Sequence, residues 1–292
     1  MSFLNNVSLV TAMVTPFDDY GQVSYERLAT LIDHLLATGT ETILVGGTTG
    51  EGPTLSASEK LNLFEETVKL VGGRVPIIAN TGSNNTAQTI EFTQQVAKIQ
   101  GIAAALIVVP YYNKPDQRGM YAHYKLVSEQ AGLPIIIYNI PGRTGVTMLV
   151  KTAIQLSLLP NIIGIKDCTG ATNLGQIVEG TKENDFAVFT GEDEDAFAAK
   201  TIGAQGVISV SSHLFGQQIK KMYQLIDENK VAAAAEIMRQ LTPKGKQLFA
   251  QPSPGPVKAA LKQIGIPVGG VRLPLLMPTK AETELLLNIL DL

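Results

Sequence analysis

Short, almost continuously apolar runs alternate with longer amphipathic segments over the first three-quarters of the chain. The runs lie at 8–14, 42–46, 76–80, 104–109, 134–139, 162–166, 186–190 and 206–210. Stretches such as Ile135-Ile136-Ile137 and Ile162-Ile163 show no polar face, which suits parallel strands covered on both sides. Between the runs, segment 24–36 opens on a capping serine and sets Leu28, Leu31, Ile32 and Leu35 on one helical stripe. Segment 58–71 repeats this with Leu61, Phe64, Val68 and Val71; segments 86–99, 119–130, 148–158, 173–183 and 194–202 follow as further helices. Strand then helix, eight times in roughly 220 residues, predicts an α/β fold closed into a (β/α)8 TIM barrel. An open doubly wound sheet would carry a dinucleotide fingerprint at its first turn, and Met13-Val14-Thr15-Pro16-Phe17 has none.

After residue 213 the strand signals stop. Segments 214–228, 231–249, 256–264 and 281–290 read as helices, with the proline-rich stretch 251–256 between the second and third. One of them completes the eighth unit, and the rest form a small C-terminal helical appendage. The expected division is therefore a barrel over 1–224 that bears the site, followed by a helical region over 225–292.

Composition narrows the functional classes. The 292 residues are 45% hydrophobic and 17% charged, as in a soluble protein with a sizeable core. The net charge is −3 and no Lys/Arg-rich run occurs, so no nucleic-acid partner is indicated. The longest apolar runs are strand-sized, and no membrane span is expected. Residues 1–6 show neither a basic region nor a long apolar stretch, so no signal peptide is read and a cytoplasmic location is expected. The single cysteine, Cys168, cannot form an internal disulfide. It stands beside Lys166 and Asp167, so a catalytic thiol has to be weighed, but a small packing residue is the preferred reading. His34, His123 and His213 are scattered without metal-ligand spacing, and no metal is expected. The acidic run 192–195 is read as a helix start favoured by the helix dipole rather than as a cation site.

Reacting groups of such a barrel sit where strands end and their loops begin. Strand two ends in Gly46-Gly47-Thr48-Thr49-Gly50-Glu51-Gly52, strand four in Pro110-Tyr111-Tyr112-Asn113, and strand five in Tyr138-Asn139-Ile140-Pro141-Gly142-Arg143. Strand six ends in Lys166-Asp167, strand seven in Gly191, and strand eight contains Ile208. A lysine closing a buried strand would be desolvated, which frees its amine to attack a carbonyl. A lysine turned out to solvent, or paired with Asp167, fits the pattern as well. Schiff-base chemistry also moves protons repeatedly, and Tyr138, Tyr112 and Thr48 stand at strand ends expected to face one cleft. A strand-end tyrosine can equally be a packing residue with its hydroxyl in water. The turn 46–52 lacks the Gly-Lys-Ser/Thr of a P-loop, and its two threonines suit a small carboxylate better than a phosphate. Arg143 could grip a second carboxylate with its planar fork, or could be an exposed loop arginine.

Taken together, these motifs resemble the 4-hydroxy-tetrahydrodipicolinate synthase (dihydrodipicolinate synthase) family. That family belongs to the pyruvate-dependent class I aldolases, which include N-acetylneuraminate lyase. The resemblance runs nearly end to end, through Val14-Thr15-Pro16-Phe17, Gly47-Thr48-Thr49-Gly50-Glu51, Pro110-Tyr111-Tyr112-Asn113, Tyr138 to Gly145, Gly164-Ile165-Lys166-Asp167, Gly206-Val207-Ile208-Ser209 and Pro254-Gly255-Pro256-Val257-Lys258.

The resemblance implies a lyase that joins pyruvate to L-aspartate 4-semialdehyde in the diaminopimelate and lysine pathway, with no cofactor. It implies an imine on Lys166, with Tyr138 as proton donor and acceptor in a relay with Thr48 and Tyr112. Thr49 is implied as the pyruvate-carboxylate site, with Gly191 and Ile208 lining the pocket, and Arg143 as the grip on the semialdehyde carboxylate. A homotetramer built as a dimer of dimers is implied, with Tyr111 crossing the tight interface. Two alternatives remain: another pyruvate aldolase such as N-acetylneuraminate lyase, for which Arg143 has no evident use, and a binding barrel without turnover, which predicts a missing lysine or a broken relay. The chain departs from lysine-inhibited members of the family at the effector site. Ala57 and Lys60 stand in place of two histidines and Gln88 in place of a glutamate, while Asn84 and Tyr111 are retained. Weak feedback by lysine is the expectation.

Overall fold

The computed structural model describes residues 2–292. Eight parallel strands form a closed barrel in sequence order: β1 (Leu9–Ala12), β2 (Thr42–Val45), β3 (Ile77–Asn80), β4 (Ile102–Val108), β5 (Ile135–Asn139), β6 (Ile162–Asp167), β7 (Ala187–Thr190) and β8 (Gly206–Ser209). The connecting helices are α1 (Tyr25–Ala37), α2 (Ala57–Val71), α3 (Thr86–Val96), α4 (Gln117–Gln130), α5 (Pro141–Thr144), α6 (Val150–Leu156), α7 (Ala171–Thr181) and α8 (Ala196–Thr201). Four more follow the last strand: α9 (Ser212–Asp227), α10 (Val231–Gln247), α11 (Gly255–Gln263) and α12 (Lys280–Leu290). The expected TIM barrel is the observed fold.

Local chemistry starts these helices where the sequence predicts. Ser56 accepts from the Glu59 N–H while Glu59 reaches back to the Ser56 N–H, and Thr279 and Glu282 repeat that reciprocal cap on α12. Asn85 and Asp116 cap α3 and α4 in the simpler way. The acidic run forms a short 3-10 turn (Asp193–Asp195) at the entry to α8, in keeping with its reading as a helix start. The one-turn α5 was not anticipated, because four residues opening on Pro141-Gly142 carry no hydrophobic period.

Two compact units make up the chain. One combines the segment up to Ser8 with Pro76–Ile208, and the other combines Leu9–Val75 with Ser209–Leu292. Helices α9 to α12 thus share a unit with β1, β2, α1 and α2, and the expected boundary near residue 225 falls inside α9. In the first unit, Ile107, Ile135, Ile137 and Ile165 bury against Met120, Val127, Leu156, Leu174 and Ile177. Each such side chain contributes roughly 1.5–3 kcal/mol on leaving water. Tyr124 is buried there too, and its hydroxyl donates to the Ile107 carbonyl at 2.8 Å. In the second unit Leu28, Leu31, Ile32 and Leu35, the stripe read from the sequence, are buried with Phe17 and Phe64.

Candidate active site

The register of β5 against β6 organises the candidate residues of the first unit. Ile135 pairs with Ile162, but Ile136 pairs with Gly164, so Ile163 is skipped. Beyond this irregularity Tyr138 lies opposite Lys166 and Asn139 opposite Asp167. On its other edge Gly164 lets β7 come close: a β-carbon on it would come within 2.6 Å of the Ala187 carbonyl oxygen. Because side chains alternate along a strand, the two pairs occupy opposite faces of the sheet.

On one face Lys166 is 6% exposed, with its Nζ 4.6 Å from the centre of the Tyr138 ring, and Tyr138 is equally buried. On the other face Asp167 accepts from Asn139 Nδ2 at 2.7 Å, from the Thr169 N–H at 2.8 Å and from the Thr169 hydroxyl. Asn139 is itself held by both backbone groups of Met148. Burial pushes the Asp167 carboxyl up, and the donors from Thr169 and Asn139 oppose that shift. The Lys166–Asp167 pairing left open by the sequence is therefore not the arrangement. The ammonium group and the neighbouring carboxylate face apart.

Gly191 sits against the lysine stem. A β-carbon there would lie 2.6 Å from Lys166 Cε and would also collide with Cys168 Sγ. Its N–H donates to the Asp167 carbonyl at 3.0 Å. Cys168 is half-buried, and burial pushes its thiol up, away from the thiolate a nucleophile needs. That fits the packing role expected of it. Ile208 is buried in β8.

Arg143 is exposed on α5, and among the described residues no partner holds its guanidinium. Tyr111 and Tyr112 lie beyond the end of β4, past Pro110. Asn84 Nδ2 donates to the Tyr111 carbonyl at 3.1 Å, Asn113 Nδ2 donates to the Asn84 carbonyl at 3.0 Å, and Tyr112 takes a left-handed φ of 73°. That turn leaves Tyr112 87% exposed, unlike the buried Tyr138, so its ring is not enclosed by its own chain. The sequence expectation of a cleft-facing Tyr112 assumed a strand end, whereas the residue stands four positions past β4 on a reversed backbone.

In the second unit, Thr48 and Thr49 occupy a tight turn after β2. The Glu51 N–H donates to the Thr48 carbonyl and the Gly52 N–H to the Gly47 carbonyl, both at 3.0 Å. Thr49 is buried and Thr48 partly so. Glu51 and Lys258 both fall inside family-like motifs, yet neither shows a role in the sequence alone. They form a fully buried ion pair of 2.6 Å across 207 positions, a separation that leaves no local signal. Among the described residues no group of three or more His, Cys, Asp or Glu side chains is placed to hold a metal ion, and no helix is long and apolar enough to cross a membrane.

The model of the dihydrodipicolinate synthetase family matches residues 5–291. A 4-hydroxy-tetrahydrodipicolinate synthase of Ligilactobacillus salivarius is 56% identical over 277 residues, covering 95% of each chain. One of Enterococcus faecalis is 47% identical over 289 residues, covering 99% of each. The crystal structure of a dihydrodipicolinate synthase from Bacillus anthracis superposes with a TM-score of 0.95 at 41% identity, covering 98% of both chains. With a family match that spans almost every residue, the chain belongs to the dihydrodipicolinate synthetase family.

Proposed function

We infer that the chain is a lyase that condenses pyruvate with L-aspartate 4-semialdehyde, giving 4-hydroxy-tetrahydrodipicolinate for diaminopimelate and lysine synthesis. The observation that carries this is the buried Lys166 amine over the Tyr138 ring, in a chain of this family. An alternative role as an N-acetylneuraminate lyase is not favoured, since the relatives at 56% and 47% identity carry the synthase name.

In the proposed reaction the uncharged Lys166 Nζ adds to the keto carbon of pyruvate, and the carbinolamine loses water to form an iminium. Loss of a methyl proton gives the enamine, whose carbon attacks the aldehyde. The amino group of the second substrate then replaces Lys166 at the imine carbon, closing the ring and freeing the lysine. The iminium acts as the electron sink, so the scheme uses no cofactor. Tyr138 transfers the protons, with Thr48 and Tyr112 as further hydroxyls of the relay. Thr49 receives the pyruvate carboxylate, with Gly191 and Ile208 lining its seat, and Arg143 receives the carboxylate of the aldehyde.

The exposure of Tyr112 supports assembly: its ring completes the relay in a neighbouring copy, with Tyr111 at the same interface and a homotetramer as the complete enzyme. A cytoplasmic location goes with this biosynthetic role. The decisive test is borohydride reduction in the presence of pyruvate, followed by peptide mass mapping. The reduced adduct belongs on Lys166. Its absence, or its appearance on another lysine, overturns the reading.

A further inference from the structure

The turn that carries Thr48 and Thr49 is tied to the C-terminal segment of its unit by a buried charge network. Glu51 takes a left-handed conformation, with φ 53°, rare for a residue with a side chain, and its carboxylate is completely enclosed. One oxygen accepts from Lys258 Nζ at 2.6 Å and the other from the Arg272 N–H at 2.8 Å. Lys258 also donates to the Gly270 carbonyl at 2.6 Å, and its Nζ lies 4.3 Å from the centre of the Phe17 ring. The Arg272 guanidinium reaches the Thr54 carbonyl and both oxygens of Glu59, the residue in the first turn of α2 that bonds back to the Ser56 cap. Both sides of the turn are therefore held from residues 258–272.

The turn itself has little freedom to absorb a displacement. The Glu51 N–H is bonded to the Thr48 carbonyl, Thr15 Oγ1 donates to the Gly50 carbonyl, and a β-carbon on Gly52 would collide with the Gly46 carbonyl. Movement of Glu51 is thereby passed to the threonines two and three positions earlier.

We propose that Glu51 and Lys258 are positioning residues, whose ion pair sets the turn so that Thr49 meets the carboxylate of the keto acid and Thr48 keeps its place in the hydroxyl relay; this rests on the function proposed above. Neither side chain is a catalytic residue, since each is enclosed by protein groups. Burial lowers the Lys258 ammonium to about 8, and the Glu51 carboxylate opposes that shift. An enclosed lysine keeps its charge here only while its partner is present.

The test uses the full-length enzyme and reads both turnover and borohydride trapping on Lys166 as functions of pyruvate concentration. Lys258→Met and Glu51→Gln are compared with wild type at a temperature well below each variant's unfolding midpoint. The glutamine variant keeps the shape while setting an amide NH2 against one of the two donors, and it carries the test if Lys258→Met does not fold. The expected result is a rise of tenfold or more in the pyruvate concentration for half-saturation of both readouts. Trapping at saturating pyruvate should still land on Lys166. Thr49→Val should give a similar rise, and combining it with Glu51→Gln should add less than the product of the two effects. Half-saturation within twofold of wild type, alongside a lowered unfolding midpoint, would overturn the proposal and leave the pair a purely structural contact. Absence of any Lys166 adduct in the wild-type protein is a different result: it removes the underlying function reading and this proposal with it.

Discussion

Two buried lysines stand beneath aromatic rings in this protein, and their neighbours give them opposite characters. Lys258 lies 4.3 Å from the centre of Phe17 and is closed off by Glu51 and the Gly270 carbonyl. Lys166 lies 4.6 Å from the centre of Tyr138, and the carboxylate next to it in sequence is turned to the other face, where Asn139 and Thr169 engage it. A counter-charge at hydrogen-bond distance fixes an ammonium group in place, while a buried amine without one stays open to a substrate carbonyl, the role proposed for Lys166. Burial alone therefore does not mark a nucleophile. The contrast lies in what the neighbouring carboxylate is doing.

The sharpest way to break the comparison is to remove each amine in turn. Lys166→Ala should reduce turnover by at least about 10³-fold and abolish the trapped adduct. Its urea unfolding midpoint should stay near that of wild type, because no ion pair is lost. Tyr138→Phe keeps the ring beneath the ammonium group but deletes the hydroxyl, and a loss of about 10²–10⁴-fold in kcat is expected. A loss below tenfold would remove Tyr138 from proton transfer. Lys258→Met should cost about 3–5 kcal/mol of stability in equilibrium denaturation, because Glu51 is left buried and uncompensated. The double variant Glu51→Gln with Lys258→Met should recover a large part of that loss. Failure to recover would show that the two residues do not stabilise the protein as a pair.

A buried base that lacks a counter-charge extends the comparison to histidine. His213 is fully buried, accepts from the Val14 N–H at Nε2, and is lowered to about 4 mainly by burial; burial lowers His123 to about 4 as well. Both rings are neutral in the folded chain and titrate near 6.5 when it unfolds, so the unfolded state takes up protons first. Stability should be full above about pH 6.5 and fall as pH drops towards 4, by up to roughly 3 kcal/mol per ring. Urea midpoints that stay flat between pH 7 and 4.5 would contradict this. The smallest effect concerns free lysine. Gln88 offers no charge to an effector's amino group, which weakens binding by roughly 1–3 kcal/mol if that contact is buried. Steady-state half-inhibition should need millimolar lysine or more, and a sub-millimolar value would reject the expectation.

The barrel was legible because its signals are local. Apolar runs marked all eight strands, and a capping serine marked the start of α1. The strand-end rule also named Lys166 and Tyr138, the two buried partners. It could not supply their alignment, since a skipped residue in β6 leaves no trace in hydrophobic spacing. Nor could it foresee that Tyr112, only one position from Tyr111, sits on a reversed backbone with its ring not covered by its own chain. Lys258 was the least legible. On a helix pattern it looks like any other lysine, and the carboxylate that defines it lies 207 positions away.

The irregularity at Ile163 also decides which residue of β6 occupies the reactive face. Strand side chains obey an odd–even rule, so a bulge acts as a parity switch for everything after it. If β6 ran without the skip, the even-numbered lysine would trade places with its odd-numbered neighbours, and Asp167 would turn its carboxylate towards the face that now holds the Lys166 amine. The barrel could close with the same apolar content and the same helices around it, yet hold an acid in place of an amine. In this strand, a one-residue phase decides whether an amine or an acid lies against the Tyr138 ring.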